Sequence, residues 1–179
     1  MSSNPPILAL DLATRTGACV GAGDVLPKLM HVDLPQTGED GGRFFWSFRQ
    51  WLLGVLDEHR PGLVVFEAPI LPRRTSLTVT RKLQGLAAHV EEIAFNAEID
   101  CREVSVQDVK TALVGHGAAK KADMVKIARA YGLEPHTYRK DGEEASDEAD
   151  AFGAWLCAIR VRQPEHAHRW DLLTGRGLR

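Results

Sequence analysis

The chain has 179 residues, a length that fits one domain better than two. Hydrophobic residues make up 44% and charged residues 26%, ordinary globular usage that excludes a disordered or fibrous chain. With 22 Lys plus Arg against 24 Asp plus Glu, the formal charge of −2 provides no global field for nucleic acid or acidic lipid, so a polyanion must meet a local patch. In chain order, residues 7–10 form a short apolar run that ends at Asp11, and a second run begins at Ala18 after the small-residue stretch 13–17. This pattern predicts two strands joined by a tight hairpin. Residues 29–34 alternate apolar and polar, which predicts a third strand before the loop at 35–42. From 44 to 59 apolar residues recur at helical spacing, with Pro61-Gly62 as the stop. Leu63-Val-Val-Phe66 is a β-preferring run that predicts a strand buried on both faces, delivering Glu67 to its end. Helices are then expected over 77–97, 106–114, 119–131 and 146–161, with a short strand within 98–105. Antiparallel strands followed by alternating helix and strand predict an α/β chain with a mixed sheet and helices on its faces. The tail after Gln163 has too little pattern to assign.

The chemistry in this sequence lies in its carboxylates. Asp11 and Glu67 each end an apolar strand, where an ionised side chain needs a hydrogen-bond partner, a cation or a metal. Taken singly, Asp11 would serve equally well as a cap on the turn at Thr14 or Arg15, and Glu67 as a salt-bridge partner of Arg73 or Arg74. Asp147 and Asp150 are three residues apart, so they share a helix face behind Ser146, a candidate N-cap, while Glu148 points elsewhere. First-turn acids are also favoured by the helix dipole, and six acids among residues 141–150 would suit a solvated face. The apolar Ala151, Phe152, Ala154 and Trp155 instead place this turn against the core. Four carboxylates converging from two strand ends and one helix would repel one another without cations. Oxygen ligands without His or Cys suit Mg²⁺ or Mn²⁺, and two such ions about 3.5–4 Å apart stabilise the attacking and leaving oxygens of phosphodiester cleavage.

The blocks Leu8-Ala-Leu-Asp11 with Thr16-Gly17, Val65-Phe-Glu67, Val109-Lys110 with Gly115-x-Gly117 and Lys121, and Asp147-x-x-Asp150 together resemble the RuvC-type Holliday-junction resolvases over residues 7–161. The resemblance implies a ribonuclease-H-like fold, a mixed five-stranded sheet with helices on both faces, in a nuclease domain of residues 1–163 followed by a tail of 164–179. It further implies a homodimer and metal-dependent cuts at four-way DNA junctions. Asp11, Glu67, Asp147 and Asp150 match the family's metal-binding acids, and Lys110 and Lys121 its basic residues near the scissile phosphate. The chain departs from cellular members at Leu12-Ala13, where they usually carry Pro-Gly, which points to a phage or mobile-element branch. After Glu67 it has Ala68-Pro69-Ile70-Leu71, without the aromatic residue of the bacterial enzymes.

For DNA, the acid-free stretch 68–90 carries Arg73, Arg74, Arg81 and Lys82, and Lys110, Lys120 and Lys121 add a second basic region. Lys126, Arg129, Arg139 and Lys140 extend that region, though Lys126 and Arg129 suit a solvated helix face. Gly115-His116-Gly117 suggests a loop whose backbone approaches a phosphate closely. His31, His59, His89 and His136 have no partners at ligand spacing, and Trp46, Trp51 and Trp155 fall at helical core positions. Cys19, Cys101 and Cys157 are scattered and odd in number, which fits a reducing compartment. No signal-peptide pattern opens the chain, and the expectation is a soluble cytoplasmic protein. Two other function classes share some of these features. A non-catalytic branched-DNA-binding module would use the same basic surface, and an ATP-handling protein of the actin and sugar-kinase type would also begin with a strand-end Asp and a Thr-Gly turn. The intact acid set weighs against the first, and the length against the second.

Overall fold

The computed structural model describes residues 4–69, 76–115, 117, 120–138 and 145–171. Five strands, β1 (Ile7–Asp11), β2 (Arg15–Gly21), β3 (Lys28–Asp33), β4 (Leu63–Glu67) and β5 (Asp100–Val104), form one sheet in the order β3-β2-β1-β4-β5. β1, β2 and β3 pair antiparallel, whereas β1–β4 and β4–β5 are parallel. The expected mixed sheet is therefore present, with helices on both faces.

Strand alternation decides which side chains meet which helices. Leu8, Leu10, Val64 and Phe66 point to the face covered by α1 (Gly41–His59) and α2 (Leu77–Asn96), where Phe44, Phe48, Leu52, Leu86 and Val90 complete a buried cluster. Ile7, Ala9, Cys19, Leu63 and Val65 point to the other face. There they pack on α3 (Val106–Val114), α4 (Lys121–Ala130) and α5 (Asp147–Arg162). By the same two-residue period, Asp11 and Glu67 face α5.

Several boundaries differ from those read in the sequence. β2 begins at Arg15 rather than Ala18, so the hairpin turn is only residues 12–14. It is closed by Thr16 Oγ1 donating to the Ala13 carbonyl at 2.9 Å. α1 starts at Gly41 because the Asp40 carboxylate accepts from the Gly42 and Arg43 N–H groups, a cap that outweighs the poor helix propensity of two glycines. Trp46 is 63% exposed, not core, since α1 buries the row Phe44, Phe48, Leu52, Val55 and turns Trp46 away from it. Trp155 is fully buried and its Nε1 donates to the Gly21 carbonyl at 2.9 Å.

The segment after Gln163 forms a sixth helix, α6 (Pro164–Asp171), with Pro at the first helical position. Trp170 seals it to the core: it is 2% exposed, its Nε1 donates to the Gly23 carbonyl at 2.8 Å, and its ring meets Trp155, Phe152 and Tyr131. Arg160 pairs with Asp171 at 2.8 Å along the same seam.

Candidate active site

β1 and β4 lie side by side and parallel, with Leu10 opposite Phe66, so Asp11 and Glu67 follow on adjacent strand ends. Both face α5, at the carboxyl edge where open α/β sheets place their ligands. Asp11 pairs across β2 with Gly17. A Cβ built on Gly17 would stand 2.1 Å from the Asp147 carbonyl oxygen, so glycine lets the first turn of α5 sit directly on the hairpin. Residues 147–159 of α5 are almost entirely buried, including Asp147 and Glu148, which takes these two acids out of a solvated face; residues 141, 143 and 144 lie outside the described residues.

The charges of these acids act on one another. Burial raises the Asp11 carboxyl well above the ordinary Asp value, and the charges of Asp150, Glu67 and Asp147 raise it further, against the pull of Lys121. Burial and Asp150 push Glu67 up to about 7, opposed by Lys110. Asp150 is raised by burial and by Asp147, while Ser146, Lys121 and Lys110 act in the opposite direction. Burial is the largest cause for all three, and the neighbouring like charges add to it. Ser146 precedes α5 as expected, but its hydroxyl makes no N-terminal cap; it donates instead to Asp150 Oδ2 at 2.7 Å. Of the turn residues considered as partners of Asp11, Arg15 forms its ion pair with Asp33 at 2.8 Å instead.

Of the basic candidates, Lys110 on α3 and Lys121 at the start of α4 act on the acids. Lys120 is exposed one residue earlier and its backbone N–H donates to Asp123 Oδ2 at 3.0 Å. Arg81 and Lys82 lie on α2, across the sheet from α5. They line a cavity of about 270 Å³ with Phe45 and Thr78. Lys82 Nζ sits 4.7 Å from the Phe44 ring centroid and donates to Thr37 Oγ1 at 3.3 Å. Among the described residues, the basic candidates thus form two groups on opposite sheet faces. Gly115, at φ 91°, is the left-handed C-cap of α3, which explains the first glycine of the Gly-x-Gly pair. Arg73, Arg74, His116, Arg139 and Lys140 lie outside the described residues.

The sequence reading missed a second polar cluster. Glu148 does point away from Asp147, but into the protein, where it is 3% exposed. Its Oε1 lies 2.7 Å from His31 Nδ1 and 3.1 Å from His136 Nδ1. The statement that these histidines lack partners is therefore overturned. The signal available was strand alternation: His31 pairs with Gly17 and lies on the same sheet face as Asp11. His89 also has a partner, the Gly85 carbonyl at 2.8 Å.

No protein-family model matches the chain. The crossover junction endodeoxyribonuclease RuvC of Alkalilimnicola ehrlichii is 30% identical over 173 residues, 94% of each chain. The chain belongs to the RuvC family. Thermus thermophilus RuvC has the same fold, with 25% identity and a TM-score of 0.66 over 89% of this chain and 96% of that one. A second structure, T. thermophilus RuvC in complex with Holliday junction substrate, superposes with a TM-score of 0.69 at 24% identity, covering 90% and 97% of the two chains. The yeast mitochondrial Holliday junction resolvase Ydc2 shares the fold at 12% identity, with a TM-score of 0.65 over 96% of this chain and 83% of its own. The ribonuclease-H-like architecture is thus common to the RuvC relatives and this chain. Among the described residues, no helix is long and apolar enough to cross a membrane.

The donor set suits divalent ions of the hard type used in phosphoryl chemistry. Asp11, Glu67, Asp147 and Asp150 would offer carboxylate oxygens only, although the metal-ligating side chains that already lie within 4.8 Å of one another among the described residues are His31, His136 and Glu148.

Proposed function

We propose that the chain is a Mg²⁺-dependent endonuclease that cleaves branched DNA, with four-way junctions as its main substrate and a homodimer as its working form. The reading rests on the charges of Asp150, Glu67 and Asp147 all acting on Asp11, where the ends of β1 and β4 meet α5. Among the described residues, the charges of Asp150, Glu67 and Asp147 on Asp11 all act in the direction that a bound cation would offset. Family membership supports the branched-DNA substrate, and a solved relative holds a Holliday junction.

In this reading Asp11, Glu67, Asp147 and Asp150 hold two Mg²⁺ ions, for which Mn²⁺ substitutes. Bound there, the ions supply the Lewis acidity that activates water and steadies the leaving 3′-oxygen. The four carboxylates would hold the ions rather than touch the like-charged phosphate, and the α5 helix, packed on Gly17, would set Asp147 and Asp150 against the strand ends. Lys121 offsets charge that develops on the phosphate, and Lys110 does the same from the Glu67 side. Arg73, Arg74, Arg81, Lys82 and Lys120 bind backbone phosphates of the arms without reading sequence.

The test is a panel of four-way junctions, forks, flaps and linear duplexes incubated with Mg²⁺ or with EDTA. Cleavage of junctions in Mg²⁺ and none in EDTA is expected. Binding of junctions without nicking in Mg²⁺ or Mn²⁺ would make the chain a binding module instead.

A further inference from the structure

Beside the acid cluster, the other flank of the α5 first turn carries a second constellation of metal-ligating atoms. His31 on β3, His136 in the segment between α4 and α5, and Glu148 on α5 each present one ligand atom, and these atoms all lie within 4.8 Å of one another. We propose that His31 Nδ1, His136 Nδ1 and Glu148 form a second cation site, selective for a Zn²⁺-like transition ion and distinct from the carboxylate pair site.

Three features of the cluster support a built site. The Glu148 carboxylate is buried and aimed: its Oε2 accepts from the His136 backbone N–H at 2.8 Å, which turns Oε1 toward both imidazoles. The segment that carries His136 is itself fastened, because Arg15 Nη1 donates to the Tyr138 carbonyl at 3.0 Å and the Ala145 N–H donates to the Thr137 carbonyl at 2.8 Å. The imidazoles stand edge to face, with centroids 4.7 Å apart, so both Nδ1 atoms converge instead of stacking.

Spacing and access fit as well. Ligands at about 2.0–2.2 Å in a tetrahedral shell stand about 3.3–3.4 Å from one another. The nitrogen-to-oxygen separations of 2.7 and 3.1 Å therefore need open by less than about 1 Å to admit an ion. The side chains of His31 and His136 are 21% and 67% exposed, which leaves an entry path and an open fourth position for water. Two imidazoles and one carboxylate are a donor set for Zn²⁺ or Co²⁺, whereas Mg²⁺ favours the oxygen-only cluster beyond Gly17. An ion here would clamp β3 and the residue 133–138 segment to the turn that carries Asp147.

The experiment uses the full chain, stripped with chelator, titrated with Co²⁺ by visible absorption and with Zn²⁺ by calorimetry in the presence of excess Mg²⁺. One Zn²⁺ or Co²⁺ is expected to bind per chain, with the intense d–d bands of a four-coordinate centre. His136→Ala, an exposed position that leaves the core intact, should weaken this binding at least about 10–100-fold, and His31→Gln likewise. Asp11→Asn, which disables the acid cluster, should leave it unchanged. Co²⁺ uptake that persists in both histidine variants, or that disappears in Asp11→Asn alone, would overturn the proposal. Because the readout is metal binding and not cleavage, its failure is separable from failure of the nuclease reading.

Discussion

The Asp147 carbonyl oxygen occupies the space, 2.1 Å away, that a methyl group on Gly17 would need. Backbone meets backbone at this point, and neither side has a flexible group to yield. Gly17→Ala should therefore lift the α5 first turn from the hairpin, costing about 1–3 kcal/mol or more in stability. It should also lower cleavage by separating Asp147 from Asp11. A melting curve and a junction-cleavage assay on the same sample check both effects; an unchanged Tm would mean that the helix seats differently.

Asp11 is half-buried at the end of β1 and feels the charges of the other three acids. Asp11→Asn keeps the shape but removes a charge that would hold the cations. Even outer partners of metal ligands are worth about 10–100-fold in affinity or activity, so losing a direct ligand should lower cleavage by more than about 100-fold. Junction binding, measured by gel shift in Ca²⁺ or EDTA, should be largely retained.

Stability in the metal-free state should depend on pH in an unusual direction. A carboxyl whose pKa is raised by folding holds its proton more tightly in the native state than in the unfolded chain. Stability then falls as pH rises through that interval. For Glu67 the interval runs from its ordinary value near 4.5 to about 7, and Asp11 and Asp150 act in the same sense. In EDTA, the Tm should therefore drop between about pH 5 and 7, where most proteins are near their plateau. Added Mg²⁺ should restore more stability at ~pH 8 than at ~pH 6, because protons compete for the ligand oxygens. Glu67→Gln should flatten part of the slope.

The two basic groups should separate kinetically. Lys121 acts on the acids, so Lys121→Ala should reduce kcat by about 10–100-fold, less than the about 10²–10³-fold loss of a buried donor because Lys121 is exposed. Lys82, fixed over Phe44 on the other sheet face, should affect affinity instead. If Lys82 contacts one phosphate, Lys82→Ala should flatten the salt dependence of binding by about 0.9 in log–log slope and leave kcat in place.

Trp170 closes the aromatic cluster formed with Tyr131, Phe152 and Trp155. Trp170→Ala should cost about 3–5 kcal/mol, readable in a urea titration. Truncation before Pro164 should cost at least as much.

The strand-end acids were legible in the sequence because apolar runs of four residues announce buried strands, and a carboxylate at such an end has few places to go. The Asp147-x-x-Asp150 spacing was legible for a similar reason, since helix geometry follows directly from residue separation. Glu148 was not, because its partners His31 and His136 are 117 and 12 residues away and meet it only through the β3–β2 register and the return of the chain before α5. Trp46 was misjudged because a helix with many apolar residues does not reveal its buried row until its partners are in place. α6 was invisible in polarity, since most of its surface is polar and a single indole fastens it.

The helix that supplies half of the acid cluster is also the one most completely enclosed by the rest of the protein. The pocket cannot loosen on its own: to disturb Asp147 and Asp150, heat or denaturant must dismantle the middle of the molecule. Thermal inactivation of nicking should consequently trace the same curve as global melting, with no temperature window in which an inert but otherwise intact protein accumulates.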